Sequence, residues 1–152
     1  MELWINLWYP INDTNHRGNI MRYFISAAYS NHGVVKALSY ALSKMGHVNA
    51  YDMLTYGDVR EQPEEKITES AFNLVQSIRD AELFIHVCPE THTTATELGI
   101  ALASRAGKRI IVWSTTGREF EQGSVVSAYY FHPSVIRFTG DLEQFVKHLE
   151  SI

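Results

Sequence analysis

Leu83-Phe84-Ile85-His86-Val87, closed by Cys88-Pro89, is a run of five residues with almost no internal polar alternation. A run this short and apolar, ended by a turn former, reads as a strand buried on both faces. A helical pattern follows it. Ala95, Leu98, Ala101 and Leu102 recur at three-and-four spacing across residues 94–106, and Gly107 stands where a C-cap belongs. Arg109-Ile110-Ile111-Val112-Trp113 is then a second β-branched run. Strand, helix and strand in this order form the unit of a parallel sheet, because parallel neighbours need a crossover between them.

The same unit extends in both directions. Upstream, residues 22–27 are a β-rich run, residues 26–33 a small polar loop, and residues 34–45 a helix by Val34, Val35, Leu38, Ala41, Leu42 and Met45, with Gly46 after it. Residues 47–54 read as a second strand and 57–64 as its loop. Residues 65–79 read as a helix by Ile67, Ala71, Leu74, Val75 and Ile78. Downstream, residues 115–123 are a polar loop, 135–138 a last strand, and 141–149 a helix striped by Leu142, Phe145, Val146 and Leu149. The expected fold is α/β: a flavodoxin-like or Rossmann-like parallel sheet of about five strands with helices on both faces. Residues 21–152 are expected to form a single domain. Residues 1–20, aromatic at Trp4, Trp8 and Tyr9 and then dense in turn formers, are expected to be an N-terminal arm or added strand.

Composition narrows the function classes. A chain of 152 residues with 45% hydrophobic and 20% charged residues is an ordinary one-domain globular sequence, which excludes disorder, collagen repeats and coiled coils. The formal net charge of −4 argues against binding to DNA or RNA duplexes, while leaving room for one local basic pocket. No apolar run reaches the roughly 18 residues of a membrane span, and the first residues lack a basic signal-peptide start, so no membrane association is expected. The single cysteine, Cys88, cannot form an internal disulfide, and the expected location is cytoplasmic. His86, Cys88 and His92 do not have the spacing of a zinc site, so no metal is expected.

In open parallel sheets ligands sit beyond the carboxyl ends of the strands, here residues 26–33, 88–97 and 114–123. Glu97 lies at a helix start among Thr93, Thr94 and Thr96. Two readings fit it. Thr94-Ala95-Thr96-Glu97 matches a capping box; alternatively the carboxylate projects into the cleft and the helix N-terminus keeps it ionised. Ser26, Ser30 and Asn31 offer donors at a strand end where backbone amides can hold an anion, or else cap the next helix. Tyr29 can stack on a base, and Arg22, Lys36, Arg60 and Arg118 are the cations available to a phosphate. The aromatic cluster Tyr129-Tyr130-Phe131 either covers the cleft, packs under it or meets another subunit.

From Asp80 to Trp113 the sequence resembles the nucleoside 2-deoxyribosyltransferase family and its relatives that hydrolyse the N-glycosidic bond of nucleotides. Thr93-Thr94-Ala95-Thr96-Glu97-Leu98-Gly99-Ile100-Ala101 lines up with the family's Gly-Thr-x-x-Glu-Leu-Gly-x-Ala helix start, and Tyr23 to Tyr29 looks like its first strand and substrate loop. The resemblance implies that Glu97 is the catalytic nucleophile and that Ser26, Ala27, Tyr29, Ser30, Asn31, Thr93 and Thr94 surround the substrate. It implies His92, Asp80 or Glu90 as a source of the proton for the leaving base. It further implies a small-molecule nucleoside or nucleotide as partner, no cofactor, and a homodimer or larger homo-oligomer. Three departures stand out: Thr93 replaces the family's glycine, Thr91 stands where an acidic residue is usual, and no carboxylate occurs at Phe72 or Asn73. Two other readings accompany this one, a non-catalytic nucleotide- or ADP-ribose-type binding module and a TIR-like enzyme that cleaves NAD.

Overall fold

The structure, a computed structural model, describes residues 20–52, 59–104 and 107–152. Five strands, β1 (Arg22–Ser26), β2 (Val48–Asn49), β3 (Leu83–Val87), β4 (Arg109–Ser114) and β5 (Val135–Thr139), form one sheet in the order β2-β1-β3-β4-β5. Every pairing is parallel. The helices are α1 (His32–Lys44), α2 (Glu64–Asp80), α3 (His92–Leu102) and α4 (Leu142–Leu149). This is the expected α/β architecture. From β1 the chain moves to one edge for β2 and then crosses back to the other side of β1 for β3, so the order reverses between β1 and β3. Loops diverge at such a reversal and leave a crevice at the carboxyl ends of the two strands.

Alternation within the strands separates two cores. Tyr23, Ile25, Leu83, Ile85, Ile111 and Trp113 meet Leu38 and Leu42 of α1 and Phe145 and Leu149 of α4. Phe24, Phe84, Ile110 and Val112 face the other way, toward Ile78 of α2, Leu98 and Ala101 of α3, and Tyr130. Covered on both faces, β3 is buried at all of its positions, which is why its sequence does not alternate. The same two-residue period puts Ser26 and His86 on the α2/α3 face. The two are register partners across β1 and β3, and both are fully buried.

Two elements differ from expectation. Among the described residues β2 pairs only through Val48 and Asn49, far less than the run 47–54 suggests. The Asn49 side-chain oxygen accepts the Tyr51 amide, a local turn that competes with the ladder and ends the strand. Helix α3 begins at His92 rather than at residue 94, for a reason given below. The expected arm, with Trp4, Trp8 and Tyr9, lies outside the described residues, as do residues 53–58 at the junction of the second strand and its loop, and residues 105–106 at the end of the expected third helix.

A buried lysine closes α2. Lys108 is 8% exposed, and its ammonium donates to the carbonyls of Ile78, Arg79 and Ala81. These carbonyls, at the C-terminal end of the helix and just beyond it, lack intrahelical donors of their own, so one cation satisfies them and suits the negative end of the helix dipole.

Candidate active site

The start of α3 fixes where Glu97 points. Thr91 is the N-cap: its Oγ1 accepts the Thr94 amide at 3.1 Å, and Thr94 Oγ1 accepts the Thr91 amide at 2.8 Å. This reciprocal pair caps the helix three residues before the expected Thr94–Glu97 box, and it satisfies the Thr91 and Thr94 amides. Glu97 is therefore released from capping and falls on the second turn of the helix. Four residues after Thr93, it shares a face with Thr93, and both side chains line one cleft.

Glu97 is 8% exposed, and among the described residues its hydrogen-bond partner is Ser26. The Ser26 hydroxyl donates to Glu97 Oε1 at 2.6 Å across 71 residues of sequence. Burial pushes the carboxyl up from its ordinary 4.5 to about 7, and the Ser26 hydrogen bond opposes that rise. This corrects the expectation of a carboxylate held ionised by the helix dipole. The dipole's influence fades beyond the first turn, whereas desolvation acts directly on the charged form. A carboxyl poised near neutrality can give or take a proton, or attack as an anion, without a large prior energy cost.

The cleft measures about 700 Å³. Its upper rim is the loop after β1, with Ala27, Ala28, Tyr29 and Ser30, joined by Arg60 and by Thr91 and Thr93 of the α3 start. Its lower wall is apolar and aromatic, with Phe24, Ile25, Tyr51 and Leu74. Tyr51 and Phe24 have ring centroids 5.8 Å apart. The Tyr51 hydroxyl meets Ser70 Oγ at 2.9 Å, placing one polar pair on that wall. Two aromatic rings, a carboxylate and a polar rim with one arginine in one cleft suit a ligand that is planar at one end and polar or anionic at the other.

Not every expected residue joins the cleft. Ala27, Tyr29, Ser30 and Thr93 do. Ser26 reaches it only through Glu97, its hydroxyl being spent on the carboxylate. Asn31 stands at the N-cap of α1 without a side-chain cap bond and is not among the lining residues. Thr94 is 1% exposed and engaged with Thr91. His92, exposed at the first position of α3, lies five residues before Glu97, about 140° around the helix. Asp80 ends α2 just before β3, at the amino ends of the strands and away from their carboxyl ends, and accepts from the Gln76 side-chain amide. Glu90 is held by the Tyr130 hydroxyl at 3.0 Å.

That last contact belongs to a second buried polar cluster, between β3 and the turn Ala128–Phe131. Tyr130 lies under the surface rather than over the cleft, its hydroxyl 3.4 Å from His86 Nε2 and 4.0 Å from the Cys88 sulfur. Desolvation lowers His86 to about 4 and is the main cause that raises Cys88 to about 12, so both are neutral near pH 7. No metal-binding group of three or more ligands occurs among the described residues.

Ser70, Tyr51 and Leu74 were invisible as site residues in the sequence. Leu74 belongs to the apolar stripe of α2 and Ser70 lies one turn before it, and only the packing of α2 against β1 brings both to the cleft.

No protein-family model matches the sequence, and no curated protein does. Among solved structures the chain is similar to the CMP N-glycosidase BcmB of Clostridium botulinum, with 18% identity over 86% of this chain and 98% of that one, and a TM-score of 0.59. At this identity the likeness is one of fold. No helix among the described residues is long and apolar enough to cross a membrane.

Proposed function

We propose that the protein cleaves the N-glycosidic bond of a nucleoside or nucleoside monophosphate, with Glu97 acting at the anomeric carbon. The observation that carries this reading is a buried carboxyl poised near neutral pH, in a cleft of nucleotide size, at the reversal point of the sheet. The fold shared with a CMP N-glycosidase supports it. In the proposed reaction the bond from C1′ to the base nitrogen breaks, and its electron pair leaves with the base. The cationic sugar is stabilised by the Glu97 carboxylate or trapped by it as an ester. Water then adds to C1′, and where the ester has formed its C1′–O bond breaks and the electron pair returns to the Glu97 carboxylate; the hydroxyl remains on the sugar, and the proton of the water balances the base nitrogen. A second base adding in place of water would make the protein a transferase. The base would lie on the Phe24/Tyr51 wall and the sugar or its phosphate near Ser30 and Arg60. The remaining expectations belong to the same proposal: a single domain over residues 21–152, a homo-oligomeric assembly and a cytoplasmic location.

A second reading has its own support. Among the described residues the cleft lining contains one carboxylate, Glu97, and no second acid stands beside it to protonate a leaving base. A nucleotide-binding module needs only the pocket. The deciding assay is chromatography of free base released from ribo- and deoxyribonucleosides, their monophosphates and NAD, each with and without an acceptor base. Release by wild type and none by Glu97→Ala, with the fold intact, supports the enzyme. Saturable binding of a nucleotide without release supports the module, and release from NAD alone moves the reading to NAD cleavage.

A further inference from the structure

We propose that Ser26 is a positioning residue for Glu97: its hydroxyl fixes one carboxylate oxygen and leaves the other to face the sugar of a bound substrate. This rests on the reading of Glu97 as the group that works on the glycosidic bond. Ser26 itself touches no substrate, since it is fully buried and absent from the cleft lining.

The geometry follows from strand period and register. Ser26 is the last residue of β1, and its place in the alternation turns its side chain toward α3 rather than toward α1. A serine there is short enough to stay beneath the cleft floor and still reach Glu97 Oε1 at 2.6 Å, a short contact of the kind made to a charged acceptor. Neither carboxylate oxygen of Glu97 is among the buried polar atoms that lack a partner. With Oε1 engaged by Ser26, Oε2 is the oxygen left for a substrate in the cleft that Glu97 lines. Fixing Oε1 removes much of the rotational freedom of a side chain with three torsions, which would otherwise sample orientations unproductive for attack at C1′.

The contact also works on charge. A hydroxyl can donate to the carboxylate but gains less from the neutral acid, so Ser26 favours the ionised form against the desolvation that raises its pKa. Other groups surround the carboxylate at longer range. Arg60, Tyr51 and Tyr29 line the same cleft. His86 lies beside Ser26 in the β1/β3 register, and His92 lies on the outer side of α3. Among the described residues Ser26 is the one in hydrogen-bond contact.

The test compares wild type, Ser26→Ala and Ser26→Thr, measuring kcat and KM for base release between pH 5 and pH 9. In parallel, the Glu97 carboxyl carbon is titrated by NMR, its signal assigned by its loss in Glu97→Gln. In Ser26→Ala, kcat at neutral pH should fall roughly tenfold or more, as expected for loss of a hydrogen bond to a charged group. KM should stay nearly constant, and both the acidic limb and the carboxyl titration should move up by about one pH unit. Ser26→Thr should restore both. An unmoved limb with an unmoved carboxyl titration overturns the proposal. So does a raised KM with unchanged kcat, which would mean that Ser26 contacts substrate instead. A wild type that releases no base overturns the catalytic reading and the role in turnover together, while the carboxyl titration still reports whether Ser26 sets the state of Glu97. Should Ser26→Ala not fold, Ser26→Cys, a weaker donor of similar size, takes its place in the comparison.

Discussion

Replacing Glu97 by glutamine should stabilise the protein, increasingly so as pH rises from about 4.5 to 7. The carboxyl titrates at about 7 when folded against an ordinary 4.5. Between these values the folded chain keeps a proton that the unfolded chain has released. The stability contributed by this group is therefore complete below about pH 4.5 and is lost as pH rises through about 7. At about 1.4 kcal/mol for each pH unit of displacement, the loss builds between about pH 4.5 and 7 and levels off at about 3 kcal/mol above that. With Glu97 8% exposed, solvent screening relieves little of it. Glutamine keeps the shape, can still accept from Ser26 through its amide oxygen, and carries no charge. Wild type and Glu97→Gln should thus be close in stability near pH 4.5, diverge between about pH 5 and 7, and stay apart above pH 7 with the variant leading by about 3 kcal/mol, or about 10 °C in Tm for a domain of this length. Urea denaturation followed by circular dichroism at pH 5, 6, 7, 8 and 9, with the two m-values checked for equality, measures the gap directly. Because only the difference between the two proteins is read, other titrating groups cancel. Parallel curves across the whole range would refute the argument, since they would mean that the folded carboxyl titrates as it does in the unfolded chain. A confirmed gap would show stability surrendered to hold a working carboxylate out of water, the familiar opposition between stability and activity at functional sites.

His86 should show the opposite dependence. Its folded value near 4 against an ordinary 6.5 means that stability present above pH 6.5 is lost as pH falls toward 4, again by about 3 kcal/mol. Between pH 4.5 and 6.5 the two groups nearly cancel in wild type. There, His86→Gln should become more stable on acidification and Glu97→Gln less stable, and equal slopes in the two variants would count against both assignments. Lys108→Met keeps the apolar stem but removes the donor from the carbonyls of Ile78, Arg79 and Ala81. It should cost about 2 kcal/mol in urea denaturation, and a neutral or stabilising result would mean that burying the ammonium costs as much as its hydrogen bonds return.

Legibility in the sequence followed the range of the interactions involved. Leu83–Val87 has the same bounds as a pattern and as a strand, because burial on both faces leaves a local mark, a run without alternation. The stripe at Val35, Leu38 and Leu42 likewise announced α1. The start of α3 was ambiguous for a specific reason: Thr91-x-x-Thr94 and Thr94-x-x-Glu97 are overlapping capping patterns. Local sequence does not rank them, and the choice depends on whether Glu97 is needed inside. β2 was overread because Asn49 turns the chain with its own side chain, a competition invisible to a hydrophobic pattern.

By itself the sequence determined the kinds and order of the elements, and that a glutamate follows the central strand at the carboxyl end of the sheet. These are consequences of periodicity and turn chemistry, which act over a few residues. Tertiary structure alone decided that Ser26, 71 residues away, spends its hydroxyl on that glutamate. It also decided that Asp80 and His92 stand apart from it, and that the carboxyl sits near neutrality rather than fully ionised. The physical reason is that a pKa and a long-range hydrogen bond are set by what packs around a group, and distant segments supply that environment only once the sheet has assembled.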